Sequence, residues 1–222
     1  MKLEAVIFDL DGTLIDSMPI WTQVDQDFLS KRNLPVPEDL FTEIKGGNSY
    51  REVAEYFKKR FSLPDSIESI MNEWTSMVQE YYEKSVQLKP GAKELLEFLK
   101  DNKIKIGIGT SNCLSLSEKV LARNKVIDYF SSLIAGCTGI RGKPYPDIFL
   151  KVAEQLEVES KNCLVIEDVL VGVLAAKKAK MDVIAIYDGF SAIDENEIRK
   201  KADFYADDFD QIKEIVKLNY LS

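Results

Sequence analysis

Four apolar residues, Ala5-Val6-Ile7-Phe8, run without interruption into Asp9-Leu10-Asp11-Gly12-Thr13-Leu14. A short continuous apolar run that ends on turn residues predicts a strand buried on both faces, as the strands of a parallel sheet are. Runs of the same kind recur at 104–110, 132–135, 162–166 and 182–186, and Phe204-Tyr205-Ala206 adds a shorter last one. Between them, apolar residues fall at helical spacing over 115–124, 147–157, 169–179 and 209–218. Strand and helix in alternation predict an α/β fold, an open doubly wound parallel sheet of Rossmann-like type with helices on both faces.

The spacing is irregular in one place. Residues 9 to 103 separate the first strand from the second, whereas a parallel crossover needs a dozen or so residues and one helix. The intervening stretch carries helical patterns at 18–32, 38–45, 49–62 and 66–84. Pro35-Val36-Pro37-Glu38 closes one and opens the next, and Ser49-x-x-Glu52 matches a capping box ahead of Val53, Ala54 and Phe57. Pro90-Gly91 then introduces a helix with Leu95, Leu96, Phe98 and Leu99 on its apolar side. Residues 16–86 are therefore expected to form an inserted helical cap domain, and residues 1–15 with 87–222 the α/β core. No internal repeat or low-complexity tract interrupts this plan.

Composition narrows the chemistry. With 222 residues, 45% hydrophobic and 30% charged, the chain can bury one sizeable core and a small second unit. A formal charge of −8 argues against nucleic acid or an anionic membrane as partner. The short basic clusters Lys58-Lys59-Arg60 and Lys177-Lys178 read as solvated helix faces. Cys113, Cys137 and Cys163 are odd in number and widely spaced, which suits a reducing cytoplasm and no disulfide framework or structural zinc site. An acid precedes any apolar stretch and no apolar run reaches membrane-spanning length, so neither a signal peptide nor a membrane span is expected. The chain is expected to be a cytoplasmic monomer. It contains no histidine, so acid–base work falls to carboxylates, Lys, Tyr or Cys.

Chemistry-bearing residues gather where strands end. Asp9 and Asp11 follow the first strand, and Gly12 lets the chain turn directly after them. In extended chain both carboxylates would point to one side, about 6.6 Å apart. The strand 104–110 ends in Thr110-Ser111-Asn112, and Ser115-x-x-Glu118 resembles a second capping box, so hydroxyls and free N–H groups stand where an anion can bind. Cys113 beside them reads as a buried, inert thiol. Lys143 lies in Gly142-Lys143-Pro144-Tyr145-Pro146-Asp147, where the prolines stiffen the loop, with Arg141 the close competitor for its role. Leu164-Val165-Ile166 runs into Glu167-Asp168, a second acidic pair ahead of a helix. Alone that pair could simply cap the helix; with Asp9 and Asp11 at another strand end, it suggests a site for Mg2+, which takes oxygen ligands.

Phe-Asp-Leu-Asp-Gly-Thr-Leu at 8–14, Thr110, Lys143 and Glu167-Asp168 resemble, in this order, the four motifs of the haloacid dehalogenase superfamily, and the resemblance covers nearly the whole core. It implies a phosphatase that hydrolyses a small phosphorylated metabolite, such as a sugar phosphate, with Mg2+ as cofactor. Asp9 would be the nucleophile forming an aspartyl phosphate, and Asp11 the acid and then the base. Thr110 and Lys143 would complete the catalytic set, with Ser111, Asn112 and Arg51 or Lys45 as further substrate contacts. The metal would take Asp9, the main-chain carbonyl of Asp11, Asp168 directly, and Glu167 through water. Dehalogenases of this superfamily lack the second acid, because halide leaves without a proton; Asp11 therefore favours phosphate. The cap is similar to that of β-phosphoglucomutase-like enzymes, which makes a phosphosugar mutase the alternative. Such mutases carry a cap histidine near Trp21, absent here, and the segment Lys45-Gly46-Gly47-Asn48-Ser49-Tyr50-Arg51 sets its arginine further from glycine than theirs. A non-catalytic phosphate-binding module is the third reading. Val169 stands where relatives often carry Ser, and Lys180 where Gly is common.

Overall fold

In the computed structural model, which describes residues 2–40, 49–136 and 140–221, the apolar run at the N-terminus is the centre of the sheet. This strand, β1 (Ala5–Phe8), is buried along its whole length. It pairs in parallel with β2 (Lys105–Thr110) on one side and β4 (Cys163–Glu167) on the other. With β3 (Ser132–Ala135), β5 (Asp182–Ile186) and β6 (Phe204–Ala206) the sheet runs β3-β2-β1-β4-β5-β6, all parallel. Alternation along β1 shows why both faces must be covered. Val6 and Phe8 pack into one apolar cluster with Leu95 and Leu99 of α4 (Ala92–Asp101), Val120 of α5 (Leu114–Arg123) and Ile212 of α9 (Phe209–Tyr220). Ala5 and Ile7 face the opposite cluster, with Phe149 and Val152 of α6 (Asp147–Leu156) and Val173 of α7 (Leu170–Lys178). Each large side chain so buried contributes roughly 1.5–3 kcal/mol, and the expected doubly wound architecture follows.

Between β1 and α4 lie three long helices, α1 (Met18–Ser30), α2 (Tyr50–Arg60) and α3 (Ile67–Lys84). They close on an aromatic centre in which the Trp74 ring sits 5.0 Å from Phe57, 5.4 Å from Phe28 and 5.7 Å from Tyr50, measured between centroids. The Ser49–Glu52 capping box forms as the sequence predicts, the Ser49 hydroxyl accepting from the Glu52 N–H and the Glu52 carboxylate from the Ser49 N–H. The helix expected over 38–45 falls mostly on residues 41–48, outside the described residues, and 38–40 form a turn. Lys45 lies in that same segment. None of the helices among the described residues is long and apolar enough to cross a membrane.

Four local expectations are corrected. The capping box proposed at Ser115 does not form: α5 starts at Leu114, with Cys113 at its N-cap position and no side-chain cap bond. Asn112 forestalls it, its side-chain oxygen accepting the Cys113 N–H at 2.7 Å, which turns the chain one residue earlier. Cys113 is half-buried instead of buried. A short helix, α8 (Glu195–Lys201), was not expected, because six of its seven residues are polar and only Ile198 is buried. The basic clusters are partly engaged, Lys177 by Asp203 at 2.6 Å and Lys178 by the Pro144 carbonyl at 2.9 Å.

The packing between sheet and α6 leaves no room at Gly107 of β2, where an added Cβ would stand 2.5 Å from Val152 Cγ1. Gly107→Ala is expected to destabilise the chain by about 1–3 kcal/mol, read as a lower urea midpoint with an unchanged slope.

Candidate active site

Strand order reverses between β1 and β4: the chain leaves β1 towards β2 and leaves β4 towards β5, on opposite sides. At such a switch point the connections diverge and open a crevice beyond the carboxyl ends of the strands. Asp9 follows β1 and donates its N–H to the Ile166 carbonyl at 3.0 Å, which pins it beside the end of β4. Gly12, at φ +79°, turns the chain back, and a Cβ there would stand 2.5 Å from Asp168 Oδ2. A side chain would fail there on both counts, strain and space.

Four charged groups meet in this crevice, and all are buried. Lys143 Nζ donates to Asp9 Oδ1 at 2.6 Å and to Glu167 Oε1 at 2.5 Å. The peptide between Lys143 and Pro144 is cis. Glu167 Oε2 accepts the N–H groups of Asp168 at 2.8 Å and Val169 at 3.0 Å. Asp168 Oδ1 accepts the Thr13 hydroxyl at 2.6 Å. Carboxylate oxygens of Asp9, Glu167 and Asp168 all lie within 4.8 Å of one another. Two of the three carboxylates thus share one ammonium, and the third has the Thr13 hydroxyl. Burial pushes the Asp9 carboxyl up to about 7, with Lys143 pulling it back and Glu167 and Asp11 adding to the rise. Burial, then Glu167 and Asp9, hold Asp168 well above the usual carboxylate range. Burial alone would lower Lys143, but Asp9 and Glu167 outweigh it and keep it charged. An excess of buried negative charge set among hard oxygen donors fits Mg2+, which binds one or two protein carboxylates and completes its shell with water and phosphate oxygens. Asp9 and Asp168 are the freer donors, since the Glu167 oxygens are engaged by Lys143 and the backbone.

Asp11 faces elsewhere. The strand stops at Phe8, and the two carboxylates have separate sets of hydrogen-bond partners, with Asp11 still near enough to raise Asp9. Asp11 Oδ1 accepts from the Ser17 hydroxyl at 2.6 Å, from Trp21 Nε1 at 3.2 Å and from the Tyr82 hydroxyl, while Oδ2 accepts from Asn112 Nδ2 at 2.8 Å. Trp21 Nε1 and Asn112 Nδ2 also reach the Tyr82 oxygen, at 2.9 and 3.1 Å. Thr110 is buried at the end of β2, its Oγ1 accepting the Asn112 N–H at 3.1 Å, and Ser111 lies in the bend between them. The structure thus gathers Asp9, Lys143, Glu167 and Asp168 in one cluster and joins Asp11, Asn112 and Thr110 in an adjoining one. Arg51 is paired instead with Glu68 at 2.9 Å on an exposed face of α2 and α3. Arg141, the competitor of Lys143, forks onto Asp147 at the surface. A separate groove of about 720 Å³ between α1 and α3, lined in part by Val24, Lys31, Met77 and Tyr81, holds none of these groups. The sequence did not point to Ser17, Trp21, Tyr82 and Thr13. Helical spacing marks Trp21 and Tyr82 as apolar, and only their N–H and O–H groups carry the polar contact.

Residues 6–186 match the family model described as haloacid dehalogenase-like hydrolase. The chain is 32% identical over 182 residues to a phosphorylated carbohydrates phosphatase of Thermotoga maritima, covering 82% of this chain and 84% of that one. It is 29% identical over 207 residues to a β-phosphoglucomutase of Bacillus subtilis, covering 84% of each. A haloacid dehalogenase hydrolase of family IA, variant 3, from Entamoeba histolytica has a similar structure, with a TM-score of 0.83 at 26% identity over 97% of this chain and 99% of that one.

Removing the one ammonium tests the charge balance. Lys143→Met strands two buried carboxylates, which is expected to destabilise the fold by about 3–5 kcal/mol at pH 8. Buried acids with raised pKa values prefer the folded state when protonated, so the deficit should shrink as pH falls towards 5. Chemical denaturation of both proteins at the two pH values reads the difference; an equal deficit at both would contradict this account.

Proposed function

The chain belongs to the haloacid dehalogenase-like hydrolases, and on that premise we propose that it is a Mg2+-dependent phosphatase acting on a small phosphorylated metabolite, such as a sugar phosphate, through an aspartyl phosphate. The observation that carries this reading is the division of labour between two acids one residue apart. Asp9 lies against Lys143 in the charged cluster, while Asp11 is turned towards polar donors on the other side of the Gly12 turn. Asp9 suits attack on phosphorus: it is fixed at a strand end beside the group that would neutralise the incoming anion. Asp11 suits proton transfer, protonating the departing alkoxide and then activating water to release phosphate from Asp9.

Bringing a phosphate dianion beside Asp9 and Asp168 is strongly unfavourable, about 4 kcal/mol for each unit-charge pair near 4 Å at an effective dielectric of 20. Lys143, fixed by Glu167, offsets part of this. Bound Mg2+, held by Asp9, Asp168, the Asp11 carbonyl and Glu167 through water, would supply the remaining neutralisation and polarise the phosphoryl oxygens. The Thr110 and Ser111 hydroxyls offer donors to those oxygens.

The helices of residues 16–86 act in this reading as a cap over the core formed by 1–15 and 87–222. Absence of histidine from the whole chain supports hydrolysis over the mutase alternative. Free Cys113 and Cys163 support a reducing compartment such as the cytoplasm; in this reading the chain acts as a monomer.

Asp9→Asn is expected to lower phosphate release by about a thousandfold or more while leaving thermal unfolding close to that of the parent. EDTA should abolish turnover and added Mg2+ restore it. With glucose 1-phosphate the expected product is inorganic phosphate; glucose 6-phosphate formed without phosphate release would establish the mutase reading instead, and no turnover of any phosphomonoester the non-catalytic one.

A further inference from the structure

Tyr82 of α3 is buried to its tip, yet its hydroxyl has three polar neighbours. A phenylalanine would fill the same space, so packing accounts for the ring and not for the hydroxyl. The oxygen accepts from Trp21 Nε1 at 2.9 Å and from Asn112 Nδ2 at 3.1 Å. The Cys113 N–H occupies the Asn112 side-chain oxygen and so turns the amide nitrogen towards Tyr82 and Asp11. Two donors take both lone pairs of the phenol oxygen, and its single proton is left for Asp11 Oδ1.

The two oxygens of Asp11 are therefore unequal. Oδ1 receives Tyr82, the Ser17 hydroxyl at 2.6 Å and a share of the Trp21 N–H at 3.2 Å. Among the described residues Oδ2 receives only Asn112 Nδ2, at 2.8 Å. A carboxylate oxygen offers about two lone-pair sites. Oδ1 is full, and Oδ2 has room for a proton. Asp11 is half-buried, so a ligand in the crevice can reach it. Tyr82 is in turn tied to the core. The next residue of α3, Glu83, pairs with Lys119 of α5 at 2.7 Å, and Arg123 of α5 donates to the Lys84 carbonyl at 2.8 Å.

We propose that Tyr82 is a positioning residue for proton transfer: its hydroxyl, with Ser17 and Trp21, fills Oδ1 of Asp11, so that the proton given to the leaving group is carried on Oδ2. This rests on the phosphatase reading above and deepens it. As Asp9 bonds to phosphorus and the bond from phosphorus to the leaving oxygen breaks, that oxygen takes the Oδ2 proton. Water then attacks phosphorus, gives a proton to Oδ2 and releases Asp9 and inorganic phosphate. Tyr82 keeps its own proton throughout, since burial and the neighbouring Asp11 hold its phenol well above the usual range.

The test follows kcat/KM of the Mg2+-loaded full chain for p-nitrophenyl, phenyl and benzyl phosphate, three esters of similar size whose leaving oxygens are increasingly basic. A good leaving group departs without a proton, and a poor one needs the acid in place. Tyr82→Phe, which keeps the ring, is expected to cost benzyl phosphate about tenfold more than p-nitrophenyl phosphate, with phenyl phosphate between them. Trp21→Phe removes a second donor to Oδ1 and should steepen the same series; it carries the comparison if Tyr82→Phe does not fold. Equal losses on all three esters, no loss, or a greater loss on p-nitrophenyl phosphate would overturn the proposal. Urea unfolding reads the contact without turnover: Tyr82→Phe and Asp11→Ala should cost less together than the sum of their separate losses, and additive losses would also overturn it. A parent that hydrolyses none of the three esters would refute the phosphatase reading and the proposal with it, whereas an active parent with equal or additive losses refutes the proposal alone.

Discussion

Lys143 held between Asp9 and Glu167 is the contact on which the rest of the site depends. Three carboxylates at the ends of β1 and β4 are buried within reach of one another, and the desolvation of each makes the next more costly. One ammonium makes the arrangement tolerable without making it neutral. A neutral cluster would be more stable, but it would have nothing to offer a cation. The parallel sheet makes the concentration possible. Its strand order places the ends of β1 and β4 side by side where no connection crosses, and the buried apolar strands beneath hold the acids with little freedom to relax.

Glu167 shows how this balance is kept. One of its oxygens is fixed by two backbone N–H groups at the start of α7, the other receives Lys143, and it is fully buried. It therefore acts through Lys143, fixing the direction in which the ammonium points. The residues just ahead of α6 carry Lys143 to it, while Arg141, two residues earlier, is diverted by Asp147 at the surface. The second acid is governed by a separate set of contacts. Asp11 is bound by Trp21 from α1, Tyr82 from α3 and Asn112 from the core, so the helical unit and the sheet meet on the carboxylate proposed to move protons. Any displacement of those helices changes the hydrogen bonds of Asp11, whereas the direct partner of Asp9, Lys143, comes from the core.

The sheet was legible because burial on two faces writes an unbroken apolar run, and alternation with helical spacing leaves few topologies. The positions of Asp9, Lys143 and Asp168 were legible for a related reason: strand ends and stiffened loops are local features. Pairings across the fold were not. Nothing local joins Lys143 to Glu167 or Tyr82 to Asp11, and an aromatic residue at a buried helical position looks like packing whether or not its polar atom is used. Ser115 misled because the capping pattern was satisfied in letters while Asn112, three residues earlier, had already supplied the backbone contact. Lys180 was noted in the sequence as standing where glycine is common. It adopts φ +60°, the left-handed region that glycine enters freely, and the chain keeps the turn at the expense of strain.

Asp25 belongs to the same physical class as the acids of the crevice and differs from them in one respect. Asp9 and Glu167 share Lys143, Asp168 has Thr13, and Asp11 has four donors, so each buried or half-buried acid near the crevice has an answering group. Asp25 has none among the described residues; burial alone raises its pKa to about 7, so the fold answers this carboxyl by favouring its protonated form and not by supplying a partner.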